Sequence, residues 1–173
     1  GGKIAAAIIN GEEIRVDDVV LAVGHSARDT FYELARENVA MERKQFAMGF
    51  RIEHKREFID EAQYGKKFAD ILPAADYRLA SHKAKRGVFT FCMCPGGVVI
   101  PSASEPGGVV TNGMSLYARD GVNSNSAVLC EIYPSDFYEG VLGGVELQRE
   151  IERKAFVLGG SDYSAPVQKL EDF

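Results

Sequence analysis

Residues 17–29 read Asp-Asp-Val-Val-Leu-Ala-Val-Gly-His-Ser-Ala-Arg-Asp. Two carboxylates precede an apolar, largely β-branched run that ends at a glycine, a pattern typical of a strand buried on both faces. Ser26, with Asp29 three residues later, fits an N-cap and a capping box. The stretch therefore predicts a buried strand, a turn at Gly24 and a helix that begins near Ser26.

Such a strand-turn-helix leaves free backbone N–H groups at the carboxyl edge of a sheet, where they suit a phosphate or another polar part of a cofactor. The same pattern also occurs in βα units that bind no cofactor, so both interpretations stay open. His25 lies just past the predicted strand. It either donates a hydrogen bond or a proton to a cofactor, or bonds to nearby backbone.

Local signals extend this pattern in both directions. Asn-Gly at 10–11, between the β-like runs 4–9 and 12–16, predicts a hairpin. Apolar residues at helical spacing continue the helix from Ala27 to a left-handed stop at Asn38. Further along, the patterns predict strands at 46–54, 77–82, 88–94, 98–100, 109–111 and 127–133, helices at 56–63 and 141–156, and a basic turn at 83–87. One βα elbow with many antiparallel strands indicates an α+β fold.

Composition narrows the class of protein. The chain has 173 residues, of which 46% are hydrophobic and 26% charged, as in ordinary globular domains. A net charge of −5 argues against a nucleic-acid partner. No apolar run is long enough to predict a membrane span, and the amino end lacks the shape of a signal peptide. Three cysteines do not make a secreted disulfide framework. We therefore expect a cytoplasmic protein.

Several segments carry a resemblance to a known family. Residues 18–30 look like the second, A-T-G-type motif of flavoproteins with two dinucleotide-binding folds. Cys-Met-Cys-Pro-Gly-Gly at 92–97 and Thr-Asn-Gly-Met-Ser at 111–115 are distinctive. Together with 41–54, 63–65, 123–127 and 165–168, they resemble a bacterial family of FAD-dependent, NAD(FAD)-utilising dehydrogenases. Members of that family are much longer and grip FAD first with an N-terminal Gly-x-Gly-x-x-Gly, which this sequence lacks.

The resemblance implies that the chain is an internal piece of a flavoenzyme. Residues 1–39 would be part of the FAD-binding Rossmann-like domain, as a partial two-dinucleotide-type βα unit. Residues 40–173 would be an inserted, mixed or antiparallel α+β lobe on the substrate side. FAD is expected in the full-length parent and weakly or not at all in this fragment, and NADH or NADPH is a further cofactor that the family admits.

The implied function is that of an FAD-dependent oxidoreductase. Its partners would be a small-molecule substrate and the remainder of its own parent chain, with no nucleic acid and no membrane. Two alternatives stay open: a non-catalytic binding module, and a flavin-dependent enzyme that modifies nucleic acid. The acidic balance of charge speaks against the second alternative.

The resemblance and the residue types together indicate candidate catalytic and cofactor-binding residues. Backbone N–H groups of a Gly-rich turn stabilise a thiolate, which makes a neighbouring thiol nucleophilic or redox-active. The candidate catalytic residues are Cys92, Cys94 and His25, and the candidate cofactor-binding residues are Val23, Gly24, His25, Ser26, Asn112 and Gly113. Asn-Gly is also a common turn without function, and residues 123–125 carry the same ambiguity.

The two neighbouring cysteines have competing interpretations. Cys92 and Cys94 are separated by one residue on a predicted strand, and they are expected not to pair with each other. A structural role, a thiol that faces the flavin or substrate, and a disulfide with Cys130 all stay open. The spacings typical of zinc sites are missing, so no metal is predicted.

Arg51 is a further candidate with two interpretations. Its guanidinium suits bidentate binding of a carboxylate. A surface ion pair with Glu53 or Asp60 is the alternative, and it is the interpretation that we favour.

Overall fold

The computed structural model describes residues 3–83 and 85–172. Antiparallel strands and three α-helices make up this part of the chain, so the predicted α+β class is confirmed. A βαβ unit of the kind that binds FAD is absent from the described residues. The strands are β1 (Ala6–Ile9), β2 (Glu12–Arg15), β3 (Phe46–Lys55), β4 (Ala80–Ser81), β5 (Val88–Cys94), β6 (Gly97–Ser102), β7 (Val110–Ser115) and β8 (Asn123–Ile132), and the helices are α1 (Arg28–Arg36), α2 (Arg56–Tyr64) and α3 (Gly143–Leu158).

A four-stranded sheet with the order β3-β8-β5-β4 forms the centre of the fold. β3 and β8 pair antiparallel along their whole length, and Arg51 lies opposite Ala127 while Glu53 lies opposite Asn125. β6 and β7 form a separate antiparallel pair. The backbone N–H of Val99 in β6 donates to Glu53 at 2.6 Å, which ties this pair to the face of the sheet that carries Arg51 and Asn125.

Local signals identified most elements correctly. The Asn-Gly hairpin is confirmed, with positive φ angles of 53° at Asn10 and 87° at Gly11, as a type I′ turn requires. Helix α1 ends before Asn38, whose φ of 56° is left-handed as predicted. The strand predicted at 77–82 shortens to two residues. Residue 84 of the predicted basic turn lies outside the described residues.

The buried strand predicted within 17–24 is wrong for this structure. Residues 18–24 adopt no regular structure, and the side chains of Val20 and Leu21 are 89% and 53% exposed. Backbone groups of 17–26 make no backbone hydrogen bond to another described residue. A strand is stable only beside a neighbour that pairs with it, and no strand of the described chain lies alongside. β-propensity alone therefore does not produce a strand here.

The predicted capping box is also wrong. α1 begins at Arg28, its N-cap is Ala27, and no side chain caps it. The hydroxyl of Ser26 lies 3.2 Å from His25 Nδ1 instead, and Asp29 accepts a hydrogen bond from the backbone N–H of Thr30. A hydroxyl caps a helix only when it faces the first turn, and the side chain of Ser26 is engaged elsewhere.

A partly buried ion-pair network joins α1 to α3 through the loop before β7. Arg28 is 2% exposed, and its guanidinium donates to Glu105 at 2.7 Å and to Glu152 at 2.7 Å. Arg149 donates to Glu105 at 2.7 Å and to the Tyr32 hydroxyl at 2.6 Å. We call Arg28, Glu105, Arg149 and Glu152 the Arg28 network. It connects residues on both sides of the domain boundary predicted at 39, and that boundary stays a prediction.

The Arg28 network predicts an acid-sensitive fold. Hydrogen bonds from Arg149, and then from Arg28, outweigh partial burial and lower the pKa of Glu105 from 4.5 to about 2. Because the folded pKa is the lower one, the stabilisation is complete above about pH 4.5 and is lost as pH falls towards 2. As pH falls through this range, the free energy of unfolding should decrease by about 1–2 kcal/mol more in the wild type than in Glu105→Gln, after allowance for solvent screening. Urea unfolding at each pH is the measurement. Parallel profiles would contradict the assignment.

Candidate functional site

Arg51 lies at the centre of a polar cluster on one face of the sheet. The β3–β8 register places Arg51 and Asn125 on the same face. The Arg51 guanidinium donates through Nη1 to the side-chain oxygen of Asn125, and through Nη2 to the backbone carbonyl of Cys92 at 2.9 Å. The side chain is therefore held at two points, one on β8 and one on β5.

Gly113 in β7 closes this cluster from above the sheet. A Cβ at Gly113 would overlap Arg51 Nη1 and Asn125 Oδ1, and it would lie 2.6 Å from Cys94 Sγ. Three side chains therefore meet where glycine leaves room for them. We call Arg51, Cys92, Cys94, Gly113 and Asn125 the Arg51 cluster.

A β-bulge in β5 shapes the thiol side of the cluster. Phe91 pairs with Ala127 but Cys94 pairs with Asn125, so β5 contains one extra residue. Cys92 has a φ of 46°, which is left-handed and unfavourable for a residue with a side chain. The bulge breaks the strict alternation of side chains in β5, which would otherwise place residues two positions apart on the same face. It also turns the Cys92 carbonyl towards Arg51, and the Cys94 thiol donates to the same oxygen at 3.5 Å.

All three cysteines are free, so the disulfide with Cys130 that the sequence left open is not formed. Cys92 is exposed and Cys94 is half-buried. The Cys94 thiol therefore lies near the Arg51 guanidinium, which binds the backbone carbonyl of the more exposed Cys92.

A row of polar residues in β8 supports the cluster from below. Ser124, Asn125 and Ser126 are completely buried. The Ser124 hydroxyl accepts from the Gly96 N–H at 3.0 Å, and the Ser126 hydroxyl donates to a backbone carbonyl. Asn125 Nδ2 has no partner among the described residues. Buried polar groups are costly unless they are hydrogen-bonded, so this row indicates a specific role and not a general contribution to the core.

Sequence reasoning missed this row because Asn-Ser-Asn-Ser is typical of a turn. The polar residues are instead the first part of a ten-residue strand, Asn123–Ile132. Asn112 and Gly113, expected in a turn, likewise lie within β7, where Asn112 is exposed and its side-chain oxygen accepts the Gly113 N–H at 2.8 Å. The resemblance to a family was the signal that singled out these blocks.

The expected ion pair of Arg51 is wrong. No carboxylate of the described residues lies within ion-pair distance of Arg51. Glu53 accepts instead from the backbone of Val99, and Asp60 lies 3.2 Å from Arg56. Both acceptors of Arg51 are neutral, so its charge is not balanced within this part of the chain.

The opposite face of the sheet carries a tyrosine–histidine pair. His54 Nε2 lies 2.8 Å from the Tyr77 hydroxyl. Burial raises the pKa of Tyr77, and this effect outweighs the Ser126 hydroxyl and the charge of Arg51, which lower it. The phenol is therefore neutral at physiological pH and available as a hydrogen-bond donor.

The N-terminal site residues lie apart from this cluster. Val23, Gly24, His25 and Ser26 are exposed, and the Ser26 hydroxyl lies 3.4 Å from that of Ser104. No hydrogen bond joins these four to the Arg51 cluster within the described chain. Gly24 has a φ of 81° and open space where a Cβ would stand. A nucleotide site needs enclosing walls and several fixed donors, so residues 23–26 by themselves do not fit FAD.

The described residues contain no group of three or more His, Cys, Asp or Glu side chains placed to hold a metal ion. None of their helices is both long enough and apolar enough to cross a membrane.

The fold and the cluster define an α+β domain with an arginine-centred polar site, and comparison with known proteins gives its family. A family model described as "FAD-dependent protein, C-terminal domain-like" matches residues 45–173. The chain belongs to this family. An uncharacterized protein of Clostridium beijerinckii is 52% identical over 176 residues, which cover 99% of this chain and 33% of that protein. The chain thus spans about one third of the length of this relative. The resemblance to FAD-dependent proteins is confirmed at the level of the family.

Proposed function

We propose that this chain is the substrate-side part of a longer FAD-dependent oxidoreductase. The family match supports a link to FAD-dependent proteins, and the relative is about three times as long as the matched region. In the longer protein, FAD would supply the transfer of hydride or electrons. The present chain would supply the Arg51 cluster, and its residues 1–39 would complete part of the FAD-binding domain.

The observation that carries the proposal is the exposed apolar segment at 19–23. Its side chains at Val19, Val20, Leu21 and Val23 are 48–89% exposed. Exposed apolar patches of this kind mark surfaces that are covered by another part of a protein. A segment apolar on both faces suits the middle of a parallel sheet. The sheet that receives it would belong to the remainder of the parent chain.

Within this proposal, the site residues divide into two groups. Val23, Gly24, His25 and Ser26 would line the FAD cleft once the segment at 19–23 joins its sheet. Cys92, Cys94 and Asn112 would face the substrate, and Gly113 would leave room for the Cys94 thiol beside Arg51 and Asn125. The exposed thiol of Cys92 and the half-buried thiol of Cys94 are the nucleophilic groups on that side.

Two valines of nearly equal exposure provide a sharp test. Val20 is 89% exposed and Val167 is 92% exposed. In the full-length parent, Val20→Asp should abolish retention of flavin. The substitution puts a charge at a position where burial of the apolar side chain contributes about 1.5–3 kcal/mol to stability. Val167→Asp should leave flavin retention unchanged. In the 173-residue chain alone, both changes should alter stability by less than about 0.5 kcal/mol. The visible absorbance of bound FAD after gel filtration is the measurement.

A non-catalytic binding module predicts a different result. The full-length parent would then carry no flavin, with or without Val20→Asp. Stoichiometric FAD on the 173-residue chain alone would also contradict the proposal, since residues 23–26 would then bind the cofactor without the remaining sheet.

A further inference from the structure

Among the residues that the structure describes, Arg51 has no ion pair and uses only part of its capacity to donate hydrogen bonds. A guanidinium has five N–H donors, and Arg51 makes two hydrogen bonds within the described chain, both to neutral oxygens on Asn125 and Cys92. Partial burial of a cation without a counter-charge is unfavourable. An oxyanion that met the free edge of the guanidinium would supply the missing charge.

Arg28 shows what a structural arginine looks like in the same fold. Its guanidinium is almost completely buried and reaches two carboxylates, Glu105 and Glu152, at 2.7 Å. Arg51 is less buried and reaches no carboxylate within the described residues. The comparison separates an arginine that is already saturated by carboxylates from one that is not.

The Arg51 side chain is also held in place before any ligand arrives. Asn125, at the bottom of the cluster, is completely buried, and the Cys92 carbonyl is fixed by a left-handed bulge. Because Gly113 has no side chain, Arg51, Asn125 and Cys94 can approach one another beside it. A donor that is already ordered loses little entropy on binding, and strained backbone is common at ligand clamps.

We propose that Arg51 binds the carboxylate of an anionic small-molecule substrate and holds that substrate beside Cys92 and Cys94. This inference deepens the proposed function, because it names the substrate class of the same site. A carboxylate matches the planar guanidinium fork, which can donate two parallel hydrogen bonds to it.

Alkylation of the thiols tests the proposal without flavin or turnover. Iodoacetate carries a carboxylate and iodoacetamide is its neutral counterpart. In either case a thiolate attacks the CH₂ carbon, a C–S bond forms, the C–I bond breaks and iodide leaves. If Arg51 binds the carboxylate, the rate ratio of iodoacetate to iodoacetamide should be about tenfold higher at Cys92 or Cys94 than at Cys130, measured by peptide mass spectrometry on the 173-residue chain. Cys130 serves as the internal control.

Substitutions assign the effect to Arg51. Arg51→Gln should reduce the ratio at Cys92 and Cys94 to that of Cys130, whereas Arg51→Lys should keep part of it, since the charge remains without the fork. Arg153→Gln, the same change of charge at an exposed position of α3, should change nothing. An equal ratio at all three cysteines, or a preference that survives Arg51→Gln, would overturn the proposal.

Competition on the unmodified chain covers the case in which Arg51→Gln fails to fold. Succinate should slow the reaction of iodoacetate at Cys92 and Cys94, and neutral succinamide should not. Protection by inorganic phosphate without protection by succinate would overturn the assignment to a carboxylate. These rates do not depend on FAD, so a failure here would leave the flavin test with Val20→Asp unaffected, and the reverse also holds.

Discussion

Arg28→Ala is expected to lower the free energy of unfolding by about 3–5 kcal/mol, the usual cost of breaking a buried ion pair from one side. Arg28 is 2% exposed, and its removal leaves the half-buried Glu152 without an ion-pair partner among the described residues, while Glu105 keeps Arg149. The hydrogen bond to Glu152, the largest effect, raises the pKa of Arg28 further above its usual range. Arg28 is therefore charged at physiological pH. Urea denaturation monitored by circular dichroism measures the change.

Arg36→Ala is the matched control for Arg28→Ala. Arg36 lies on the same helix and pairs with Glu33, but its side chain is 70% exposed. An exposed pair of this kind contributes about 0–1 kcal/mol. If both substitutions shifted the urea midpoint equally, the Arg28 network would not be what holds α1 to α3.

Local chemistry explains why much of the fold could be predicted. Asn10 and Gly11 dictate their turn because few other residues adopt positive φ at two successive positions. The periodicity of 141–156 identifies α3, whose bounds are Gly143–Leu158. These signals depend on neighbours in the sequence, so they hold whatever the rest of the chain does.

The remaining features depend on contacts distant in sequence. The segment at 19–23 has strand-like residues but no partner strand, so its propensity has no effect here. The row at 124–126 looks like a turn, and only pairing with β3 and β5 makes it a buried strand. The Arg28 network joins residues more than seventy positions apart. A single sequence carries no signal for such pairings.

The Cys-Met-Cys-Pro-Gly-Gly block shows how a motif can be recognised before its reason is known. Cys92 forms the bulge, Cys94 enters the Arg51 cluster, and Gly96 meets the backbone of Arg119. Each of these three residues is therefore constrained by a different tertiary contact. The resemblance pointed to the block as a unit, and the structure shows separate physical reasons for three of its residues.

Gly96→Ala should lower the free energy of unfolding by about 2–5 kcal/mol. Gly96 has a φ of 59°, which an alanine adopts at a cost of about 1–2 kcal/mol. Its Cβ would also overlap the backbone carbonyl of Arg119, which cannot move as the end of a side chain can; overpacking adds about 1–3 kcal/mol. The Gly96 N–H donates to Ser124, next to Asn125. The same substitution should therefore also weaken the preference of Cys92 and Cys94 for iodoacetate.

Gly107→Ala separates the two causes. Gly107 has a similar φ of 76°, but no atom lies within 4 Å of the position of its Cβ. Gly107→Ala should lower the free energy of unfolding only by the cost of a left-handed backbone for alanine, about 1–2 kcal/mol. It should leave the ratio of alkylation rates unchanged. Urea unfolding of both variants gives the comparison. Because a Cβ meets the Arg119 carbonyl at Gly96 and meets nothing at Gly107, equal losses would mean that close packing of Gly96 against Arg119 adds nothing to stability.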